Sequence, residues 1–350
     1  MAVQHNPRPT MRDVATRAGV SFKTVSRVVN REPGVSPDLA KRVKDAISSL
    51  GYRPDDRARH LRQSGRQTGA IGFALVDVGN PFFSSTIRGI EEVARQHGYL
   101  VLAGSTDGDL VRQDQLIETF VARRVDGIIA VPSGNGLGVL GHEIERGTPV
   151  VFLDLEPAHV SVDLVRSDHH GGAMLATKHL VAHGHRDIAF FGDTTEIFSA
   201  QLRLTGFRDA MRDAGQDVPD QRVITGNHAT AAWQQIITDY LTVSPAPTAI
   251  FSAQNFITVG AAHALHTLGL AHKIAHIGFD DIDLADLVQP GISVVPQQPW
   301  DLGRQAAELL FRRLAGADTP PLREIISSPV IARGSGEIRP GPVRRSKRSA

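Results

Sequence analysis

The feature that most constrains the fold of this chain is an alternation of short apolar runs with amphipathic segments, which begins near Thr68. Its first round contains four runs that we predict to be buried parallel strands, GAIGFALVDV, LVLAGS, DGIIAVPS and PVVFLDL. The helices predicted between them are PFFSSTIRGIEEVARQHGY and DLVRQDQLIETFVARR. Repeated strand-helix-strand units of this kind build a doubly wound sheet, in which ligands bind beyond the carboxyl ends of the strands.

The alternation then starts again, and this second round predicts a second lobe. It comprises GAMLATKHLVAHGH, DIAFFGD, LRLTGFRDAMRDAG, AIFSAQ, VGAAHALHTLG and KIAHIGFDD. We expect ISVVPQQ with PWDLGRQAAELLFRRLAG to cross back to the first lobe, and EIISSPVIARG to return to the second. The predicted core, residues 68–338, is therefore an α/β core of two doubly wound lobes that face a cleft.

The first part of the chain shows a different pattern, that of short helices. Thr10 and Asp13 have the spacing of a capping box, Gly19 stands where a helix ends in a left-handed residue, and Ser21 can cap a second helix. A third helix is predicted in SPDLAKRVKDAISSLGY. This order predicts an all-α helix-turn-helix DNA-binding domain over residues 10–54. The alternative is a small helical bundle with a solvated basic face.

Charge is distributed unevenly in a chain whose formal net charge is only +1. Residues 1–65 contain 13 Lys and Arg against 6 Asp and Glu, and residues 339–350 contain 5 basic residues and no acidic one. The part between them is acidic, with 20 basic and 31 acidic residues. A basic head on an acidic body favours a polyanion as the partner of the head alone. We predict a disordered arm over residues 1–9 and a disordered basic tail over residues 339–350.

The amino-acid composition limits the classes of protein to which this chain can belong. Hydrophobic residues make up 41% of the 350 residues, which is enough for sizeable buried cores. No apolar run approaches the roughly 20 residues needed to span a membrane, and the opening MAVQHNPRPT lacks the apolar stretch of a secretory signal. The absence of cysteine excludes disulfides and thiolate metal sites. We therefore expect a cytoplasmic protein without a membrane partner.

Residues 55–67 are predicted to form a hinge helix and a linker between head and core. In PDDRARHLRQSG, Asp55 can cap a helix of about two turns that exposes Arg57, Arg59 and Arg62. A helix this short is marginal in water, so we expect it to form when it is paired with a second copy and held on DNA. The alternative is a solvated linker.

Head and core together resemble the lactose-repressor (LacI/GalR) family of bacterial transcription regulators, from about Thr10 to Gly336. The resemblance rests on DVATRAGVSFKTVSRVVN and LGYRP in the head, and on NPFF, FLDL, HLVAHGHRDIAFFGD, RLTGF and IGFDD in the core. It implies a core like that of a periplasmic sugar-binding protein. It also implies a homodimer that binds a pseudo-palindromic operator in double-stranded DNA, with repressor as the first expectation and activator as the alternative.

The resemblance assigns roles to residues of the head and hinge. Phe22, Lys23 and Arg27 match positions that read base edges in the major groove, and Leu61 would enter the minor groove as a wedge. Asp55 is a departure, because the family often has Asn there, and an extra carboxylate near phosphates would weaken binding. Other residues are expected to contact DNA, most of them by positioning the head on the DNA backbone. They are Thr10, Ser21, Thr24, Ser26, Asn30 and Arg59.

Polar residues at the predicted strand ends are candidates for binding a small-molecule effector in the cleft. Arg203 and Asp280 match family positions that bridge the effector and lobe closure, and their charge-assisted hydrogen bonds suit vicinal hydroxyls. The alternative for either residue is a surface ion pair or a strand-end cap. Phe82 or Phe83 would stack on the apolar face of a sugar ring. The remaining candidates are Asn80, Asp154, Ser199, His228, Gln254, Asn255 and Gln297.

A departure at Gln254 bears on the identity of the effector. The family usually has Asn-Asp after an alanine, where this chain has AQNF. The carboxylate that is replaced often holds sugar hydroxyls or caps the following helix. Its loss favours a less hydroxyl-rich or an anionic effector. A carbohydrate remains the first expectation, and a nucleoside or another non-sugar metabolite is the alternative.

We expect no catalytic, metal or cofactor site. The histidines of HLVAHGHR have metal-like spacing, but that segment matches a helix-to-strand junction of the family, and His169-His170 lacks a third ligand. Asp280 and Asp281 are adjacent, so their side chains point in different directions, and SGNGLG lacks the lysine of a phosphate loop. The competing classes are a sugar-binding transport protein and an enzyme such as a sugar kinase or hydrolase.

Overall fold

A computed structural model describes residues 9–30, 32–52, 67–133, 136–155, 160–226, 230–243 and 245–341. The chain divides into two compact units, Met1–Thr68 and Gly69–Ala350. The predicted hinge residues Arg59 and Leu61, and the cleft candidate His228, lie outside the described residues.

The head unit is built from short helices around a small apolar core. The helices are α1 (Met11–Ala18), α2 (Phe22–Val29) and α3 (Pro37–Leu50). Their buried side chains are Val14, Ala15, Ala18, Val25, Val43, Ala46 and Tyr52. A core of this size buries one face of each helix.

The capping signals in the head are confirmed. The Thr10 hydroxyl accepts from the Asp13 backbone N–H, and the Asp13 carboxylate accepts from the Thr10 backbone N–H at 2.7 Å. Gly19 ends α1 with a φ of 64°, a left-handed conformation that glycine adopts without strain. The Ser21 hydroxyl accepts from the Thr24 N–H at 3.2 Å and so begins α2. Local chemistry therefore sets the lengths of these helices.

The core unit alternates strands and helices. In chain order the strands are β1 (Ala70–Leu75), β2 (Leu100–Ser105), β3 (Gly127–Ala130), β4 (Val150–Leu153), β5 (Asp163–Ser167), β6 (Ile188–Gly192), β7 (Val223–Thr225), β8 (Ala249–Ser252), β9 (Ala275–Phe279), β10 (Ser293–Val295) and β11 (Arg323–Ile326). The helices are α4 (Pro81–Gln96), α5 (Leu110–Ala122), α6 (Gly138–Glu145), α7 (His169–Ala182), α8 (Phe198–Asp213), α9 (Thr230–Val243), α10 (Asn255–Thr267) and α11 (Pro299–Leu314), with a 3₁₀ turn at Asp220–Arg222. Among the described helices, none is both long and apolar enough to cross a membrane.

The strands form two separate parallel sheets, which confirms the prediction of two doubly wound lobes. The order in the first sheet is β11-β5-β4-β3-β1-β2, and the order in the second is β10-β9-β8-β6-β7. Helices cover both faces of each sheet, as the apolar strand sequences require. The carboxyl ends of the strands in each lobe therefore lie at one edge, where ligands bind in such folds.

The chain crosses between the lobes after β5, after β10 and after β11. The predicted crossings are correct for helix α11 and for the segment VIARG, but wrong for the strands that precede them. ISVV stays in the second sheet, where Ser293 pairs with Ile277, and EII stays in the first. Helix α11 then docks closely on α4, because a Cβ at Gly89 or at Gly303 would lie 2.1 Å from a carbonyl oxygen of the other helix.

Two strand predictions fail for identifiable reasons. LVLAGS is a strand but is not buried, and its Leu100 is 72% exposed. The reason is that β2 lies at the edge of its sheet. The sequence DLVRS was not predicted to be a strand because it lacks an apolar run. In the structure its Asp163 is buried, and both of its carboxylate oxygens accept from the Arg313 guanidinium at 2.7 and 2.8 Å. Pairing with a distant helix thus stabilises a strand that composition did not indicate.

The histidines of HLVAHGHR attach the end of the described chain to the second lobe. The two ring nitrogens of His185 contact the Thr248 hydroxyl at 3.0 Å and the Ile338 carbonyl at 2.6 Å. His179 contacts the Glu337 carboxylate. Within the described ranges, no group of three or more His, Asp or Glu side chains is placed to hold a metal ion.

His276 lies on β9 within the second sheet and is almost fully buried. Its Nε2 is 2.8 Å from the Ser252 hydroxyl, which in turn is 2.8 Å from the Thr258 hydroxyl. Burial lowers the pKa of His276 from 6.5 to about 4, and the charge of His266 acts in the same direction. The ring is therefore neutral in the folded protein at pH 7.

We predict that His276 makes the second lobe acid-sensitive. Above pH 6.5 the ring is neutral in both the folded and the unfolded chain. As the pH falls from 6.5 toward about 4, only the unfolded chain gains the proton, so the free energy of unfolding falls by up to about 3 kcal/mol. Urea unfolding over this pH range, compared with His276→Asn, isolates the effect because other titrating groups are shared. An equal pH dependence in the variant would contradict the prediction.

Candidate functional site

Side chains that follow strands of both sheets meet at the carboxyl edge of the core. Asn80 begins α4 in the first lobe, and Asn255 begins α10 in the second. The Asn255 amide donates to Asn80 Oδ1 at 2.8 Å, and Asn80 Oδ1 also accepts from the Phe82 N–H at 3.0 Å. One amide oxygen therefore caps a helix and links the two lobes.

A second group surrounds Asp280, which follows β9 and is buried. Its Oδ2 accepts from the Asn255 backbone N–H at 3.3 Å, and its Oδ1 accepts from the side-chain amide of Gln297. Because a carboxylate only accepts, this contact orients the Gln297 amide and leaves Oε1 pointing elsewhere. That oxygen is buried and has no hydrogen-bond partner in the described part of the chain. A donor supplied by a ligand would satisfy it.

A third group joins Asp154, which follows β4, to the second lobe. His169 Nε2 lies 2.7 Å from Asp154 Oδ1, and Arg203 lies 3.3 Å from His169 Nδ1. Arg203 also donates to the Ala253 carbonyl at 2.7 Å, and its guanidinium lies 4.2 Å from the centroid of the Phe279 ring. Arg203 is thus held on several sides within a buried site.

The two carboxylates of the site share a rare backbone conformation. Asp154 has a φ of 66° and Asp280 a φ of 72°. Residues other than glycine seldom adopt this left-handed region, and such residues cluster at ligand sites because the surrounding structure must hold them there. This backbone conformation turns the chain directly after β4 and β9, where the two carboxylates lie.

Asp154 remains ionised although its side chain is only 15% exposed. Burial by itself raises the pKa of this carboxyl, but His169, Arg203 and Arg166 favour the charged form and together hold the pKa below its usual value of 3.8. The edge of the core therefore presents an ionised carboxylate, Asp154, within the influence of Arg203 and Arg166. A carboxylate of this kind accepts hydrogen bonds from hydroxyls.

Several predicted site residues do not join these groups. Phe82 and Phe83 are buried in the core of the first lobe, where their rings pack edge to face with centroids 5.0 Å apart. Ser199 lies in the first turn of α8, one turn before Arg203, and is partly buried. A role for these three side chains in ligand binding stays a prediction.

Gln254 has a local role in the structure. Its side-chain oxygen accepts from the backbone N–H groups of Phe256 at 2.8 Å and Ile257 at 3.2 Å, so it caps α10. The family's carboxylate falls at the next position, Asn255, whose Oδ1 also accepts from the Phe256 N–H at 2.8 Å. Amide oxygens of both residues therefore cap the helix, and the effect of the lost carboxylate on the choice of ligand stays a prediction.

Sequence reasoning missed two members of the site. The sequence indicates His169 only as a histidine with metal-like pairing, because DLVRS lacks the apolar run that would predict β5 before it. Phe279, the residue before Asp280, was assigned only to a strand. The one available signal was position, since both residues stand at the carboxyl end of a strand or directly after it.

The exposed side of the head is formed by the start of α2. Ser21, Phe22 and Lys23 are exposed, with Phe22 44% accessible, whereas Val25 is completely buried. Thr24, Ser26, Arg27 and Asn30 are partly buried, and the Asn30 amide donates to the Ser26 hydroxyl at 3.3 Å. Thr10 caps α1. The amino-terminal end of a second helix, presented in this way, suits a major groove.

Comparison with known proteins matches both parts of the chain. Residues 10–55 match the family described as bacterial regulatory proteins, lacI family, and residues 177–336 match the periplasmic binding protein-like domain. The ribose operon repressor of Escherichia coli (strain K12) is 32% identical over 335 residues, which cover 93% of this chain and 99% of that repressor.

Solved structures agree with this match. The lac repressor dimer bound to operator and the anti-inducer ONPF superposes with a TM-score of 0.80 at 25% identity, covering 94% of this chain and 99% of that one. A complex of the transcriptional regulator CelR with cellobiose gives a TM-score of 0.70 at 27% identity, covering 94% and 100%.

The capping role of Gln254 is open to a direct test. Gln254→Ala should lower the free energy of unfolding by about 1 kcal/mol, because the Ile257 N–H loses its side-chain acceptor and the Phe256 N–H keeps only the Asn255 oxygen. Gln254→Ser keeps a capping oxygen and should retain most of the stability. Urea unfolding of the two variants checks this. Equal stability of the alanine and serine variants would show that the oxygen does not hold the helix.

Proposed function

This chain belongs to the lacI family of bacterial regulatory proteins, and we propose that it is a homodimeric repressor that binds a pseudo-palindromic operator under the control of a sugar held between its lobes. Members of the family are DNA-binding repressors controlled by an effector, and they are not enzymes. The observation that carries the proposal is the meeting of polar side chains from both lobes at the carboxyl edge of the core.

Operator binding is supported by the surface of the head. The exposed start of α2 offers an aromatic ring at Phe22 and a cation at Lys23, and Arg27 follows one turn later. Arginine and lysine recognise guanine edges in the major groove. The surrounding basic charge attracts phosphates, so the affinity for DNA should fall as the salt concentration rises. Residues 1–65 carry the basic excess that such binding requires.

A second copy of the chain is supported by exposed apolar side chains on the core. Leu284 and Leu287 lie in the segment after β9 and are 65% and 69% exposed, and Leu100 stands at the start of the edge strand β2. Apolar side chains left in water in this way are typical of surfaces that meet another protein. A symmetric pair of heads on such a dimer matches the two halves of a pseudo-palindromic operator.

A neutral sugar is the effector that suits the polar groups of the site. The carboxylates of Asp154 and Asp280 and the unpartnered Oε1 of Gln297 are acceptors, and hydroxyls supply donors. The charges of Arg203 and Arg166 both act on Asp154, so the preference for a neutral sugar rests on the acceptors of the site, which hydroxyl donors satisfy. Ribose is the first sugar to consider, because the E. coli relative is named for the ribose operon.

We predict that Arg27 contributes to the reading of bases. Genomic fragments that give a salt-sensitive gel shift supply the operator, on which a footprint should show two symmetric half-sites. Arg27→Ala should reduce discrimination between operator and altered operator by about 1–3 kcal/mol. Lys44→Ala, on the exposed face of α3, is the matched control and should leave discrimination unchanged. An unaltered footprint for Arg27→Ala, or protection of a single half-site, would contradict the corresponding part of the proposal.

We predict that D-ribose binds the core and that Arg203 is needed for it. A sugar at 100 times its Kd should raise the free energy of unfolding by about 2.7 kcal/mol, seen as a higher melting temperature. Arg203→Ala should abolish the rise, whereas Arg208→Ala, which changes an exposed arginine of the same helix, should retain it. Ribose 5-phosphate and adenosine are the comparison ligands. A rise with either of them and none with ribose would overturn the sugar assignment.

A further inference from the structure

His169 occupies a position that determines which of its nitrogens carries the proton. The ring is fully buried at the first residue of α7. Its Nδ1 lies 3.3 Å from both Nε and Nη2 of Arg203, and a guanidinium can only donate. Nδ1 must therefore accept, so a neutral ring carries its proton on Nε2. That N–H then donates to Asp154 Oδ1 at 2.7 Å.

The resulting chain of hydrogen bonds runs from one lobe to the other. It begins at Asp154 after β4 of the first sheet and passes through His169 to Arg203 on α8. It ends at the Ala253 carbonyl, at the carboxyl end of β8 in the second sheet. His169 itself stands where the chain crosses between lobes, directly after the Asp168 cap of α7. A relative movement of the lobes would break this series of hydrogen bonds between Asp154 and His169.

We propose that His169 is a positioning residue that holds Asp154 and Arg203 in their ligand-binding orientations and makes them respond as one unit to the effector. The inference rests on the proposed function, since it concerns the same site. His169 accepts from one partner and donates to the other, so neither partner can turn away without loss of a charge-assisted bond. Asp154 keeps Oδ2 to accept from a ligand hydroxyl, while Oδ1 is held by the ring.

Three substitutions separate this role from a packing role. Phenylalanine preserves the ring but removes both hydrogen bonds. Asparagine places an oxygen at the same number of bonds from Cα as Nδ1, so His169→Asn keeps an acceptor for Arg203. Glutamine places an N–H at the position of Nε2, so His169→Gln keeps a donor for Asp154. If the site needed only volume, phenylalanine would be the mildest change. If the site needs the hydrogen bonds from Asp154 through His169 to Arg203, which we call the relay, phenylalanine is the most damaging change.

The first test measures D-ribose binding by titration calorimetry on the full chain. His169→Phe should weaken binding by about 10- to 100-fold, and the Asn and Gln variants should lie between it and the unmodified protein. His170→Phe is the control, since the His170 ring is bonded to the partly exposed carboxylate of Asp209 at 2.9 Å and should leave binding unchanged when replaced. Binding by His169→Phe that equals the unmodified protein, or exceeds that of the Asn and Gln variants, would overturn the proposal.

A second test needs no ligand. If the unmodified protein fails to bind D-ribose, the sugar assignment is wrong, but this test still decides whether His169 couples Asp154 to Arg203. Melting temperatures are measured for Asp154→Asn, Arg203→Gln and the double variant. The relay predicts that the double variant loses less than the two single losses together, because each single change already weakens the shared chain by removing a charge from one end of it. In a His169→Phe background the losses should become closer to additive. Equal non-additivity in both backgrounds, or none in either, would overturn the proposal.

Discussion

The hydrogen bonds that join the two lobes are the constraint on which the rest of the structure depends. Each lobe has its own sheet and its own apolar core, so packing within a lobe does not dictate how the lobes face each other. The contacts of Asn80 with Asn255 and of Asp154 with His169 bring the carboxyl edges of the two sheets together. These bonds are polar and partly buried, which makes them sensitive to a ligand that offers competing partners. A regulator that must respond to a small molecule needs a contact of this kind.

The crossings explain how a change at that edge reaches beyond it. The chain passes between the lobes after β5, β10 and β11, and each passage lies beside a residue that contacts the site or is linked to it. His169 follows the first passage and Gln297 lies in the second. After the third, Arg333 forms a two-pronged ion pair with Asp281, the neighbour of Asp280. Under the proposed function, a ligand that altered these side chains would act directly on the segments that connect the lobes.

The prediction of the fold from the sequence succeeded wherever the signal was local or strongly periodic. Capping at Thr10 and Ser21, the glycine end of α1, and the apolar strands of both lobes were all readable. It failed where a partner far along the chain was decisive. DLVRS becomes a strand because Asp163 is paired with Arg313, about 150 residues later, and LVLAGS is left exposed because no strand lies beyond it. Neither fact is encoded near the residues concerned.

The sequence by itself determined the helix-turn-helix head, the two wound lobes, and most of the polar residues of the site, because spacing, capping and apolar periodicity are properties of neighbouring residues. Only the tertiary structure decided what those polar residues do. Gln254 caps a helix, and His169 links Asp154 to Arg203. The apolar candidates Phe82 and Phe83 lie in the core of the first lobe. The physical reason is that a hydrogen bond requires its two atoms within about 3 Å in a fixed direction. The three-dimensional path of the chain alone brings residues 15 to 175 positions apart to that distance.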